Sequence, residues 1–173
     1  LSKKINYNLP ISLAKFSKEN NLKYIFISTD NFKFKSKKLS ENSKIIPLNI
    51  YSKHKKKSEY KILKINPKSI IIRTNFYCFG NKERQSFSDI ILKSIRSKKK
   101  ISLFRDVNYT PIYGKYLLKY LFKLIKLKKS GIYNISSNEI ITKYNFGKKI
   151  CDIFKLNKKL INVGYLKNRN DLV

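Results

Sequence analysis

Short, uninterrupted apolar runs, each separated from the next by a stretch long enough for an amphipathic helix, narrow the fold of this chain more than anything else. The clearest run is Ser69-Ile70-Ile71-Ile72-Arg73, which lies between Pro67 and a loop ending in Gly80. Residues 23–28, 101–104 and 131–136 repeat the pattern. Between them, residues 11–19 carry Leu13, Ala14 and Phe16 at helical spacing, and residues 85–97 place Phe87, Ile90, Ile91, Ser94 and Ile95 on one face. Residues 51–63 and 113–127 read as further helices. Thr142 is placed to cap a last one, ending near Phe154. A polar loop containing residues 35–38 leads to Pro47. Strands buried on both faces read as continuous apolar runs, and their alternation with helices signals a parallel sheet with crossover helices. The expectation is an α/β fold with a doubly wound parallel sheet.

Composition removes several classes of function. A hydrophobic fraction of 42%, gathered in clusters, belongs to a globular chain. No apolar run approaches the ~20 residues of a membrane span, and no apolar segment near Leu1 resembles a secretion signal. Cys78, Cys151 and the lone His54 make neither a disulfide framework nor a zinc set, so no metal and a reducing cytoplasm are expected. Methionine is absent, so the chain cannot begin at its own start codon; Leu1 is either a processed end or a truncation, and truncation is the expectation. Forty basic residues against ten acidic ones give a net charge of +30. A nucleic-acid-binding protein is one reading of that charge, and it predicts steeply salt-dependent binding to DNA. Arg, however, stands only at positions 73, 84, 96, 105 and 169, and a sequence reader uses Arg for bidentate contacts. Drift of exposed positions to Lys and Asn in an adenine- and thymine-rich genome is the favoured reading. The Lys-rich runs at 35–38, 53–57 and 98–100 are then solvated faces or loops. The glycosylation-type triplets at Asn108 and Asn134 are expected by chance in so Asn-rich a chain.

One spacing carries chemistry. Tyr51 and Lys55, four apart, share a helix face on neighbouring turns. An ammonium beside a phenol favours the phenolate and draws its pKa from about 10 toward the range of a working proton donor or acceptor. The same spacing recurs at Tyr60/Lys64 and Tyr144/Lys148, so context has to choose. Upstream of Tyr51, Ile25-Phe26-Ile27-Ser28-Thr29-Asp30 is an apolar strand ending in hydroxyls, and ligands of open α/β sheets bind outside the carboxyl ends of strands. Pro47-Leu48-Asn49-Ile50 introduces the helix, and Ile72-Arg73-Thr74 ends the next strand.

That order of strand-Ser-Thr-Asp, Pro-x-x-x-Tyr-x-x-x-Lys-x-x-x-Glu and strand-Arg-Thr resembles the extended short-chain dehydrogenase/reductase family, in its dTDP-4-dehydrorhamnose reductase (RmlD-like) branch. The similarity continues in Ile5-Asn6 with Leu13-Ala14, in Glu41, in Glu59, in Asp106 with Tyr109-Thr110-Pro111, and in Gly131-Ile132-Tyr133-Asn134 with the helix after Thr142. It implies a Rossmann-like NAD(P)-binding fold. Residues 1–80 would hold the carboxyl-terminal part of the cofactor domain and the catalytic pair. Residues 81–173 would form a small substrate-binding region interleaved with the last strands. It also implies NAD(P)H-dependent reduction of a 4-keto nucleotide-linked deoxy-sugar for polysaccharide synthesis. Thr29, with Ser28 as the alternative, would bond the carbonyl. Tyr51 would give the proton, while Lys55 would lower the Tyr pKa and bind the nicotinamide ribose. Ser28 and Arg73 are candidate cofactor contacts, and a buried ion pair is an equal reading for Arg73. Asn75, Arg105 and Asp106 are candidate substrate contacts. The expected partner is the nucleotide sugar, and the family also admits a homodimer.

Departures from the family are equally specific. Asn31-Phe32-Lys33-Phe34-Lys35 replaces an aromatic-Val-Phe-Asp-Gly turn, and Ser52 and Ser58 stand where glycines are usual. The glycine-rich loop that cradles a pyrophosphate is absent, so this chain alone is expected to bind NAD(P) poorly. An epimerase or dehydratase of the same family, and a non-catalytic binding subunit, are the alternative readings.

Overall fold

The computed structural model describes residues 1–34, 40–80 and 85–168; the expected loop at 35–38, Arg84 and Arg169 lie outside the described residues. A π-type turn at Lys4–Asn8 runs straight into α1 (Leu9–Glu19), and Pro10, which has no N–H to donate, stands just past the junction. There follow β1 (Ile25–Ile27), β2 (Phe32–Phe34), β3 (Ile45–Pro47), α2 (Ile50–Ile65), β4 (Ile70–Arg73), β5 (Phe76–Tyr77) and α3 (Phe87–Arg96). The chain continues through β6 (Ile101–Phe104), β7 (Asn108–Tyr109), β8 (Ile112–Tyr113), α4 (Gly114–Lys126) and β9 (Gly131–Asn134). It ends with β10 (Ile141–Thr142), α5 (Lys143–Ile153) and β11 (Ile161–Gly164), with 3₁₀ turns at Lys158–Leu160 and Leu166–Asn168. The fold is α/β with a parallel sheet, as the alternation of runs and stripes implies. The contacts group the chain into two units, residues 1–74 with 118–135 and residues 75–117 with 136–173. The chain thus enters the second unit near residue 75 and returns to the first within α4.

The first unit is built on a parallel sheet in the order β1-β4-β9, with Ile25, Phe26 and Ile27 opposite Ile70, Ile71 and Ile72. Ile70, Ile71 and Ile72 are all fully buried, which is why the run is continuous rather than alternating. Ala14 of α1 and Ile62 of α2 pack on Phe26 and Ile71, with Tyr24, Leu63, Ile65 and Ile132 around them. The Lys23 ammonium donates to the carbonyls of Lys68 (2.8 Å) and Lys129 (2.6 Å), tying down the chain just before β4 and just before β9. Gly131 opens β9 at φ +99°, a conformation that L side chains rarely adopt. Phe32–Phe34 pair antiparallel with Ile45–Pro47, so the stretch leading to Pro47, read from sequence as loop, ends in a strand. Phe32 is buried beneath the Arg73 guanidinium, at 5.7 Å from its ring centre.

Burial of the Tyr24 phenol pushes its pKa up to about 12. An acid whose folded pKa is raised stabilises the fold fully below its unfolded value, and that contribution is lost as pH climbs to the folded one. Stability should therefore fall between about pH 10 and pH 12, and Tyr24→Phe should make the fall shallower. Urea unfolding at stepped pH measures this, and an unchanged slope in the variant would refute it.

Among the described residues the second unit has three two-stranded pairings: β6 with β11 parallel, β5 with β8 parallel, and β7 with β10 antiparallel. Its core joins Ile91, Leu92 and Ile95 of α3 to Leu103, Tyr109, Ile161 and the buried face of α5 (Tyr144, Phe146, Ile150, Cys151). α3 starts on a reciprocal capping box between Ser86 and Asp89, and the hydroxyl of Ser86 holds the Asp89 carboxyl below its usual range. Thr142 caps α5 as the sequence suggests, its hydroxyl accepting from the Asn145 N–H. Gly147 lets α5 approach β6 so closely that a methyl there would overlap Leu103.

Candidate active site

The first unit brings Thr29, Tyr51 and Lys55 together at the carboxyl end of β1. α2 delivers two of the three, and its start is held firmly. Asn49, extended at φ −157°, accepts from the Ser52 N–H at 2.9 Å, while the Ser52 hydroxyl accepts from the Asn49 N–H at 3.0 Å. Ser52, which departs from the usual glycine, is fully buried and closes this capping box. Ser58, the other departure, is equally buried and donates to the Asn6 carbonyl at 2.6 Å. Both extra hydroxyls are satisfied locally, so neither intrudes on the site. The fixed helix start places Tyr51 in the first turn.

The Tyr51 side chain is partly open to solvent, at 39% exposure, while its partner Thr29 is buried. Burial of the phenol raises its pKa; a hydrogen bond with the Thr29 hydroxyl opposes the rise, and the Asp30 carboxylate adds to it. This corrects the sequence expectation that Lys55 lowers the Tyr51 pKa. The Lys55 ammonium sits 5.7 Å from the centre of the Tyr51 ring and 4.5 Å from that of Phe26, and donates to the Ile27 carbonyl at 2.9 Å. It faces π-electrons and a backbone oxygen, and desolvation lowers its own pKa, partly offset by the Glu59 carboxylate. The net result is a phenol that keeps its proton at neutral pH.

Beneath these three residues lies a buried ionic floor. Glu59, at 2% exposure, accepts from the Arg73 Nε (3.0 Å) and Nη2 (2.7 Å) and from the Ser28 hydroxyl (2.5 Å). The remaining Arg73 nitrogen donates to the Glu41 carbonyl at 3.2 Å. Of the two readings weighed for Arg73, the structure has the ion pair: the guanidinium is 7% exposed and its nitrogens are committed. Ser28 is likewise buried and donates its proton to Glu59, which leaves Thr29 as the hydroxyl beside the phenol. Sequence reasoning placed Glu59 in the family pattern without a role. Its spacing was the available signal, since Glu59 follows Lys55 by four and therefore shares its helix face.

The three substrate candidates fall in the second unit. The Asn75 carbonyl accepts from the Ile112 N–H, and Arg105 lies 5.5 Å from the centre of the Tyr144 ring. Asp106 accepts from the N–H groups of Leu166 (2.8 Å) and Lys167 (3.2 Å), which holds its carboxyl below the usual range. Asp106 thereby opens the last 3₁₀ turn. Among the described residues no group of three or more His, Cys, Asp or Glu is placed to hold a metal ion, and no helix is long and apolar enough to cross a membrane.

The family model described as RmlD substrate binding domain matches residues 1–168. A dTDP-4-dehydrorhamnose reductase of Aggregatibacter actinomycetemcomitans is 29% identical over 161 residues, covering 87% of this chain and 53% of that protein. A probable low-salt glycan biosynthesis reductase of Haloferax volcanii is 24% identical, covering 86% of this chain and 51% of its own length. Among solved structures, the Bacillus anthracis dTDP-4-dehydrorhamnose reductase in complex with NADP superposes with a TM-score of 0.84 at 24% identity, covering 95% of this chain and 58% of that one. The chain therefore spans about half the length of the curated relatives it matches.

Proposed function

The chain belongs to the RmlD substrate-binding-domain family, and from that membership we propose that it carries the catalytic part of an NAD(P)H-dependent reductase of 4-keto nucleotide-linked deoxy-sugars. The observation that carries the reading is the placement of Thr29, Tyr51 and Lys55 at the carboxyl end of a parallel strand, with the Lys55 ammonium 5.7 Å from the Tyr51 ring and bonded to the Ile27 carbonyl. The first unit would serve the cofactor side and the second the sugar nucleotide.

The residues present fit one half of the cofactor and not the other. Tyr51 is accessible, and Lys55 spends one N–H on Ile27, leaving two donors for ribose hydroxyls. The five glycines, at 80, 114, 131, 147 and 164, are too scattered to form a pyrophosphate cradle, so that part has to come from elsewhere. When bound, the nicotinamide supplies the hydride. Thr29 orients the substrate carbonyl, and Tyr51 gives its proton to the oxygen as the carbon is reduced, yielding a hydroxyl. Lys55 would hold the ribose through its two remaining N–H donors. Glu59 and Arg73 stay under the site and fix Ser28 and the end of β4.

The decisive assay joins this chain to a cofactor-binding half and supplies a dTDP-4-keto-6-deoxy-sugar with NADPH. Oxidation of one NADPH for each 4-hydroxy product formed is expected. A redox-neutral epimer or dehydration product would replace the reductase reading with that of an epimerase or dehydratase. Nucleotide-sugar binding without turnover would replace it with that of a binding subunit.

A further inference from the structure

α2 carries two faces of different chemistry. Lys55 and Glu59 lie on the face that meets β1 and β4. Ile50, Lys53, His54 and Lys57, spaced by three, one and three, form another stripe along the same helix. With Lys3 and Tyr7, from the stretch leading into α1, this second stripe lines a hollow of about 390 Å³. That volume lies within the range of small-ligand pockets. The whole hollow belongs to the first unit.

Every charged group lining it is basic. Within the run of residues 53–57 the lysines divide. Lys55 and Lys56 give their ammonium groups to the carbonyls of Ile27 and Ile45, at 2.9 Å and 2.8 Å. Lys3, Lys53 and Lys57 make no such bond, and the ion pairs among the described residues use Arg73, Lys149 and Lys158 instead. Like charges four apart on a helix repel, and Lys3 brings a third ammonium to the same hollow with no carboxylate to balance it. His54 is held in place by its Nδ1, 3.0 Å from the Ser2 hydroxyl, and the Asn6 amide donates to that same oxygen at 3.5 Å. Ser2 thus has its own proton to give to Nδ1, which leaves Nε2 as an N–H donor. The two walls are tied together as well. The buried Ser58 hydroxyl of α2 donates to the Asn6 carbonyl at 2.6 Å, next to Tyr7.

We propose that this hollow is a binding site for a small, multiply charged phosphate anion. Lys3, Lys53 and Lys57 supply the charge, and lysine binds phosphate as a point charge from any direction. His54 and the Tyr7 hydroxyl supply directed donors to the ligand oxygens. Three ammonium groups without a counter-charge call for more than one negative charge, which selects pyrophosphate or a sugar phosphate over a simple carboxylate. The run at 53–57 is then more than a solvated face: two of its lysines brace the fold, and two wait on an anion. The site lies on a different face of α2 from Lys55, and the inference does not depend on the proposed reaction.

The test titrates inorganic pyrophosphate into this chain at physiological chloride. Calorimetry should show saturable 1:1 binding, and the melting temperature should rise with pyrophosphate concentration. Amide shifts in a ¹⁵N spectrum should concentrate at Lys3, Tyr7, Lys53, His54 and Lys57. Lys53→Gln/Lys57→Gln, at exposed positions, should keep the circular dichroism of the parent and weaken binding by about tenfold or more. Lys99→Gln/Lys100→Gln removes the same charge from the second unit and should change binding by less than about twofold. Equal losses in the two double variants, or shifts spread over lysines outside the hollow, would trace the binding to the net charge of +30 and overturn the proposal. So would a short DNA duplex that displaces pyrophosphate from the same lysines at lower concentration, since the face would then be one for nucleic acid. The shifts in the parent chain decide the question even where a variant loses its fold.

Discussion

Replacing Tyr51 by Phe, in this chain completed by a cofactor-binding half, is expected to lower turnover of a 4-keto nucleotide sugar by about 10²- to 10⁴-fold, the range a positioned general acid supplies. The loss should appear in kcat and kcat/KM alike, because the proton is given only in the transition state. NADPH affinity should be nearly intact, since Lys55 keeps its place on the Ile27 carbonyl and over the Phe26 ring when the hydroxyl is gone. Burial raises the phenol's pKa, so the wild-type acid stays loaded across neutral pH and the rate should decline only in alkali. Steady-state kinetics with a fluorescence titration of NADPH measures both quantities. Undiminished turnover in the variant would remove Tyr51 from the chemistry.

The parts of this fold that were legible in sequence are those where one residue pattern dictates one environment. Ile70-Ile71-Ile72 has no polar position, so only a strand covered on both faces suits it, and the structure buries all three. The Thr142 cap and the stripe of α3 are equally local signals. The pairing of β2 with β3 was not legible, because its strands are three residues long and are made by their contact with each other. β5, β7, β8 and β10 are two-residue strands, made by tertiary pairing and carrying no period of their own. At the site, spacing could not separate Tyr51/Lys55 from Tyr60/Lys64 or Tyr144/Lys148. In space they differ plainly: Tyr60 is 71% exposed, Tyr144 is packed in the core of the second unit, and Tyr51 bonds Thr29. The direction of the Tyr51 shift was beyond sequence, because it depends on how far the phenol leaves water, and spacing does not encode that.

Glu59→Gln should have the largest effect on stability of any single change in the site. The variant keeps the shape of the side chain and removes its charge, leaving the Arg73 guanidinium at 7% exposure with no anion. Breaking one partner of a buried ion pair costs about 3–5 kcal/mol, because the remaining charge stays desolvated. The Ser28 hydroxyl and the Arg73 Nε and Nη2 share that one carboxylate, so the loss reaches β1 and β4 at once. Arg73→Met alone should also destabilise, by stranding Glu59. The double variant Glu59→Gln/Arg73→Met should recover most of the loss, since a charge-free pair of similar volume has nothing left to desolvate. Thermal or urea unfolding of the four proteins forms a complete double-mutant cycle. Additive losses in the double variant would show that the two residues act separately. Recovery would instead make the pair a device for holding the carboxyl ends of β1 and β4 in place, which is what positions Thr29 beside Tyr51.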